Sequence, residues 1–466
     1  MKNNVLVFAL WIGLVSCISG TKQKKELEKR PNVLIILADD LGWNDVGFHE
    51  SDIKTPNIDS LAATATLLNR FYVTPICTPT RAGLLTGKYP GRFAMRYGVV
   101  SPKVKSGLPS EEETLAEAFA KIGYKNRAAF GKWHLGHSRK EYHPLNHGFN
   151  YFYGHYNGAI DYFTHKRDAE MDWHENYRAN FDQGYSTDLI AEKVSQYIAT
   201  QKKEEPFLAY VAFNAPHSPM QAKTEDLIDY GYSSEMEMED YPVGGQRNGE
   251  RESEIYGKLG RGNTLRQTYS AMVLSLDDGI GQIIRSLKSS GQFKNTIIWF
   301  LSDNGGTYTF GGDNKPLRGQ KHQLWEGGVR AVSFVKGVGQ KMELGHSNEP
   351  IAYIDVFPTL LEMIGEAQYK MYLDGESGID RLSGRKKEER FIYLGKGGLV
   401  SKQWKLINGQ LFDIENDISE KYDVSSEYPE VVKRLTTILA DFEKLDSEGY
   451  QFQDKDWVPP TNWSIE

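Results

Sequence analysis

Cysteine is almost absent from this chain: 466 residues carry two, Cys17 and Cys77. A disulfide framework is therefore excluded, and a chain of this length does not need one, because it can bury a sizeable core in one large domain plus a smaller one. Positive charge is not in excess either. A formal net charge of -7 and a pI near 6.0 rule out a general polyanion-binding surface and argue against nucleic acid as a partner, so attraction to a sulfated or phosphorylated ligand has to be local. Internal repeats are absent, and the apolar run from Val5 to Val15 is too short to cross a bilayer. What the chain holds in quantity is aromatic side chains, 26 Tyr and 9 Trp among them, which suits carbohydrate handling and a well-filled core alike.

The apolar run follows Lys2 and ends in Leu14-Val15-Ser16-Cys17. It reads as a signal peptide over residues 1–20. Its last four residues look like a bacterial lipobox, in which Cys17 receives lipid and becomes the mature N-terminus; an ordinary signal peptide with a chance cysteine is the alternative. Residues 21–30, rich in Lys and Glu, read as a solvated tether. The expectation is an exported protein of a bacterium, periplasmic or anchored to the outer membrane through Cys17.

Three near-continuous apolar segments, Asn32 to Ala38, Pro206 to Phe213 and Thr296 to Ser302, read as strands of a parallel sheet buried on both faces. Each runs into polar residues at its carboxyl end: Asp39-Asp40, Asn214-Ala215-Pro216-His217, and Asp303-Asn304-Gly305-Gly306. A fourth, Tyr124 to Phe130, leads into Gly131-Lys132-Trp133-His134, where Lys132 and His134 share a side if the strand continues. Open α/β sheets gather their ligands at this edge. Adjacent carboxylates are unfavourable there unless a cation joins them. If the strands are neighbours, Asp39, Asp40, Asp303 and Asn304 form an all-oxygen shell of the kind that selects Ca²⁺ or Mg²⁺.

Cys77 stands at the start of a predicted short helix, with Thr78 as its cap, Pro79 in its first turn and Gly87 as its stop. Free N–H groups and the helix dipole favour an anion at such a place, and Arg81 follows one turn on. Cys77-Thr78-Pro79-Thr80-Arg81, continued by Ala82-Gly83-Leu84-Leu85-Thr86-Gly87, resembles the signature of the type I, formylglycine-dependent sulfatases. Gly131-Lys132-Trp133-His134-Leu135-Gly136 resembles the second signature of that family. The resemblance is dense from Pro31 to about Gly365, and Leu37 to His49 with Leu324 to Arg330 look most like its arylsulfatase B, or N-acetylgalactosamine-4-sulfatase, branch.

That resemblance implies an α/β fold: an alkaline-phosphatase-like large domain with a mixed, mostly parallel central sheet flanked by helices. A composition change near Gly375 and Gly378 separates this domain, residues 31–365, from a small C-terminal α+β subdomain with an antiparallel sheet, residues 366–466. The family's properties further imply a sulfuric ester hydrolase acting on a sulfated carbohydrate. Cys77 would be converted to Cα-formylglycine by a formylglycine-generating enzyme. Asp39, Asp40, Asp303 and Asn304, with residue 77, would hold one Ca²⁺. Arg81 would orient the nucleophile, Lys132 bind sulfate, His134 serve the nucleophile, His217 contact the leaving group and Lys321 bridge both. Gln320 stands where family members commonly have glycine. With Cys17 lipidated and Cys77 converted, no disulfide remains. The alternatives are a promiscuous phosphodiesterase or phosphonate ester hydrolase of the same superfamily, and an inactive glycan-binding lipoprotein.

Elsewhere Ser110 to Glu113 reads as a capping box, Ile351 to Ile364 as helix, and Leu265 onward as a helix with Met272, Leu276, Ile280 and Ile283 inward. The aromatic run Tyr151 to Phe163 suits either stacking on sugar rings or packing on the core. The polar stretch 224–263 reads as a flexible insertion or a lid. Strands are expected over Arg390 to Leu394, Lys402 to Ile407 and Gln410 to Ile414, the last two joined by Asn408-Gly409, before a closing helix from Pro429 to Leu445.

Overall fold

The computed structural model describes residues 30–242, 260–338, 344–447 and 457–465. The lipobox at Cys17, the signal peptide, most of the tether and the middle of the polar stretch lie outside the described residues. At the centre is β1 (Asn32–Ala38), buried along its whole length. Val33, Ile35 and Leu37 enter one hydrophobic core and Leu34, Ile36 and Ala38 the other, as expected of a strand that is apolar at every position. Four strands run parallel with it, β2 (Asn126–Lys132), β3 (Tyr151–His155), β4 (Phe207–Ala212) and β5 (Thr296–Ser302), in the spatial order β5-β1-β4-β2-β3. An antiparallel β6 (Ser333–Lys336) beside β5 and short edge strands bring the sheet to ten.

Helices cover both faces. On one side lies α1 (Cys77–Thr86); on the other α2 (Ser186–Thr200) and the long α3 (Leu265–Ser289) pack together. In α3, Met272, Leu276, Ile280 and Ile283 are buried as the spacing predicts, each contributing about 1.5–3 kcal/mol of hydrophobic stabilisation. The C-terminal region forms a separate four-stranded antiparallel sheet, Ile392–Gly395, Gly398–Val400, Trp404–Ile407 and Gln410–Asp413. Asn408 (φ 49) and Gly409 (φ 87) make the left-handed hairpin turn. Leu399, Leu411, Leu435 and Leu439 join the core that holds Val33, so this sheet shares the large domain's interior.

Several local expectations need correction. The capping box is Thr114 with Glu117, not Ser110 with Glu113, because Thr114 directly precedes the first helical residue, Leu115. Ile351–Ala352 is a strand beside Phe71–Tyr72, and the helix starts only at Val356. Gly398–Val400 is a strand the pattern missed, too short to show alternation. The polar stretch is structured at both ends: Thr224–Asp229 is helical, and the Asn263 amide donates to the Ser233 and Met236 carbonyls while accepting from the Ser233 N–H. Of the aromatic run, Tyr151–His155 is β3, and Phe152, Tyr153, Tyr156 and Tyr162 are buried, so these rings fill the core instead of stacking on a ligand.

Candidate active site

Residues at the carboxyl ends of β1, β2, β4 and β5 converge on the start of α1. The N-cap of α1 is Ile76, without a side-chain cap. Thr78, expected to cap, instead donates from Oγ1 to the His134 carbonyl (3.1 Å) and accepts from the Val100 N–H (3.3 Å), tying the helix start to two loops. Gly87 ends the helix at φ 66 with its N–H on the Gly83 carbonyl. Cys77 is buried, its Sγ 3.4 Å from His134 Nδ1. Burial raises the thiol's pKa against the pull of Lys132 and Lys321, which disfavours direct thiolate chemistry.

The Asp39 N–H donates to the Ala215 carbonyl and the Asp303 N–H to the Ala38 carbonyl, both at 3.1 Å. These bonds extend the ladder past the strand ends and bring the acids of β1 and β5 together. Asp40 is held at φ 63, a left-handed conformation that Asp tolerates and that costs strain energy worth attributing to a site. Its Oδ1 accepts from Lys321 Nζ and Asn304 Nδ2, both at 2.7 Å, and its Oδ2 lies 3.8 Å from His217 Nε2. Asp39 Oδ2 accepts from Lys132 Nζ. Arg81 is expected to point its fork back at Cys77, but Nε and Nη2 donate to Asp303 Oδ2 (2.9 and 2.7 Å) and Nη1 to the Lys132 carbonyl (3.0 Å). Two further oxygens of this cluster, Asp39 Oδ1 and Asn304 Oδ1, are buried and have no hydrogen-bond partner.

Three carboxylates therefore face three permanent cations. Burial alone would raise Asp40, but Lys321, His217 and Asn304 outweigh it and hold its carboxyl well below the usual range. Burial and the Asp39 charge raise Asp303 despite Arg81. Burial alone would lower Lys321, but Asp40 more than offsets the desolvation and leaves the ammonium firmly protonated. Burial and the surrounding cations keep His134 neutral, and burial with Lys321 and Lys132 lowers His217 to about 3 despite Asp40. The oxygen donors suit a hard divalent cation: carboxylate oxygens of Asp39 and Asp303 lie within 4.8 Å of one another and of Cys77 Sγ, two unpaired oxygens lie in the same cluster, and the thiol, a soft donor, is the one group there that does not match such an ion.

β2 ends at Lys132, and His134 turns away at φ 58. The alternation argument for Lys132 and His134 therefore fails, yet both reach the cluster, because His134 N–H donates to the Tyr156 carbonyl and Trp133 N–H to that of His155, running on beside β3. His217 Nδ1 lies 2.6 Å from the Ser218 carbonyl, which leaves Nε2 facing the cavity. A cavity of about 440 Å³ opens over Cys77, Asp40, His134, His217 and Lys321. Its outer wall is Val99–Pro102, Gly158, Ala159, Arg167, Ser218, Thr307, Phe310 and His322. No motif marks these wall residues, most of which lie on loops, with Arg167 in a short strand and Phe310 in a 3-10 turn; nor does one mark Tyr269, whose hydroxyl sits 3.1 Å from the Asp40 carbonyl oxygen and 2.8 Å from Asp45 Oδ2.

A mostly parallel sheet with acids, lysines and a helix N-terminus at its carboxyl edge defines the alkaline-phosphatase-like class of ester hydrolases. Within that class, residues 31–366 match the family model described as Sulfatase. The chain is 33% identical to arylsulfatase J of Mus musculus over 483 aligned positions, covering 89% of this chain and 76% of that protein. It is 31% identical to N-acetylgalactosamine-6-sulfatase of Rattus norvegicus, covering 72% of this chain and 62% of the relative. The crystal structure of Ps i-CgsB in complex with k-i-k-neocarrahexaose superposes with a TM-score of 0.78 at 28% identity, over 91% of this chain and 95% of that one. The chain belongs to the sulfatase family, a family of sulfuric ester hydrolases.

Proposed function

We propose that this protein releases sulfate from a sulfated carbohydrate, using formylglycine made from Cys77 and a Ca²⁺ ion held by Asp39, Asp40, Asp303 and Asn304. The observation that carries the reading is the pair of buried, unpartnered oxygens, Asp39 Oδ1 and Asn304 Oδ1, inside the cluster that surrounds Cys77. Leaving such groups unpaired costs on the order of 1–3 kcal/mol each, which a ligand of opposite polarity would recover. With three carboxylates balanced by Arg81, Lys132 and Lys321, a divalent ion gives the site a net positive charge that suits a sulfate ester.

Bound there, the cation supplies charge neutralisation and polarises a sulfate oxygen. Formylglycine, as its hydrate, supplies an oxygen nucleophile that a thiol lacks. The chain's own residues do the rest. Lys132, fixed in place by Asp39, and Lys321, fixed in place by Asp40, neutralise sulfate oxygens. Arg81, locked by Asp303, keeps α1 and therefore residue 77 in register with the cluster. His134 Nδ1, in contact with residue 77 and kept neutral, takes its proton. His217 Nε2 faces the cavity and exchanges a proton with the departing sugar hydroxyl. The sugars named for the relatives, N-acetylgalactosamine and a neocarrahexaose, support a carbohydrate as the leaving group.

Mass spectrometry of the peptide containing Cys77, from protein made in a host with the modifying enzyme, together with sulfate release from defined oligosaccharides, tests this reading. An aldehyde mass at position 77 is expected. An unmodified thiol in fully active protein contradicts it.

A further inference from the structure

His134 owes its place to a short loop, Tyr156-Asn157-Gly158, on which the chain leaves the sheet after β3. It rests on that loop twice. Its N–H donates to the Tyr156 carbonyl at 3.0 Å, and a Cβ on Gly158 would lie 2.4 Å from both Cε1 and Nε2 of its ring. Backbone packed so closely against an imidazole leaves it no second position on that side. The N–H groups of Tyr156 and Asn157 lie past the end of β3, and buried N–H groups need an acceptor. Asp172 is that acceptor. Its Oδ1 accepts from the Tyr156 N–H, and its Oδ2 from the Asn157 N–H and from Asn157 Nδ2, all at 2.9 Å.

Asp172 is itself firmly fixed. It is fully buried between two short strands, Glu170–Met171 and His174–Glu175, and the second of these pairs with β3 at Gly154. Its N–H donates to the His165 carbonyl at 3.0 Å, and its neighbour Trp173 is buried with its ring stacked 4.7 Å from that of His165. His174 Nε2 lies 3.2 Å from Oδ1. Burial would raise the carboxyl, but His174, His155 and the Tyr156 N–H outweigh it and keep the group ionised. Charge-assisted bonds to backbone N–H groups are stronger than neutral ones, so the loop is held stiffly. Asp172 does not line the cavity, and its effect on the chemistry has to pass through what it holds. Resting on the proposed sulfatase reading, we infer that Asp172 is a positioning residue for His134: it fixes the Tyr156–Gly158 loop, and through that loop the imidazole beside residue 77.

The test separates the imidazole from the sulfate-holding groups. Asp172→Asn keeps the size of the side chain and replaces one accepting oxygen by an NH2 group that cannot accept. With nitrophenyl sulfate as substrate, its kcat should fall about 10- to 100-fold, the scale of a misplaced catalytic group. Inhibition by inorganic sulfate, which reads Lys132 and Lys321, should stay within about twofold of wild type. The same substitution in a His134→Ala background should change the remaining turnover by less than about twofold, because the group it positions is gone. Asn157→Ala removes one of the three donors and leaves the carboxylate paired; it should show a smaller loss of kcat with the same unchanged sulfate inhibition, and it carries the test if Asp172→Asn does not fold. An unchanged kcat in folded Asp172→Asn, a parallel loss of kcat and sulfate inhibition, or a full further loss in the His134→Ala background overturns the inference. Failure of wild-type enzyme to turn over any sulfate ester would instead overturn the sulfatase reading beneath it.

Discussion

At the carboxyl edge of the sheet, Asp39, Asp40 and Asp303 meet Arg81, Lys132 and Lys321; under the C-terminal sheet, Glu326 and Glu420 meet Lys405. Both clusters are buried. In the second, Lys405 Nζ lies 2.8 Å from Glu326 Oε1 and 2.9 Å from Glu420 Oε1, Glu420 Oε2 accepts the Glu326 N–H at 2.7 Å, and Glu326 Oε2 accepts the Tyr72 hydroxyl at 3.1 Å. Each carboxylate oxygen there has a cation or donor of the chain beside it, Glu420 Oε1 through its ion pair with Lys405 alone and without a hydrogen bond. In the first, Asp39 Oδ1 and Asn304 Oδ1 have no hydrogen-bond partner. The closed cluster joins two parts of the fold. The open one has room for a group the chain does not itself supply.

The sharpest way to break this contrast is Cys77→Ala. Turnover should fall by about a thousandfold or more, while unfolding free energy, from denaturant melts, changes by about 1 kcal/mol; a protein that unfolds instead would make the open cluster structural too. Lys405→Met should do the reverse. It strands two buried carboxylates and should cost about 3–5 kcal/mol, with turnover per folded molecule close to wild type in assays normalised to folded protein. Gly158→Ala sharpens the geometry of the open cluster, because a Cβ there would lie 2.4 Å from the His134 ring. Displacing the imidazole should lower kcat by about 10- to 100-fold, read by steady-state kinetics.

The smallest effect concerns a third buried polar region. Burial lowers His137 and His147 to about 4 and His143 to about 3. A depressed histidine binds fewer protons folded than unfolded, so its contribution is complete above the unfolded value and is lost as pH falls below it. Each should cost about 1.4 kcal/mol per pH unit on acidification below about 6.5. Thermal melts between neutral pH and the folded values would show it, and a midpoint insensitive to pH over that window would contradict it.

The sheet was legible because β1, β4 and β5 are apolar at nearly every position, and their strand ends were marked by Asp39, Asp303 and the residues before His217. Lys132 and His134 were found by motif, while the geometric reason offered for them was wrong: the strand stops at Lys132. Thr78 was misread because a threonine at a helix start usually caps its own helix, whereas here its hydroxyl serves the His134 loop. Arg167 and Trp463 left no signal. They are nearly 300 residues apart in sequence and meet through a hydrogen bond from the Trp463 indole N–H to the Arg167 carbonyl, which no residue pattern encodes.

The central claim is that the open cluster is a cation site, and metal content with calorimetric titration of metal-stripped protein tests it most directly. One Ca²⁺ per chain is predicted, with an unfolding midpoint that rises as calcium is added. Lys405→Met should keep both properties and Asp39→Asn should weaken both. A protein that binds no divalent cation at millimolar calcium, and melts at the same temperature with and without it, would contradict the account.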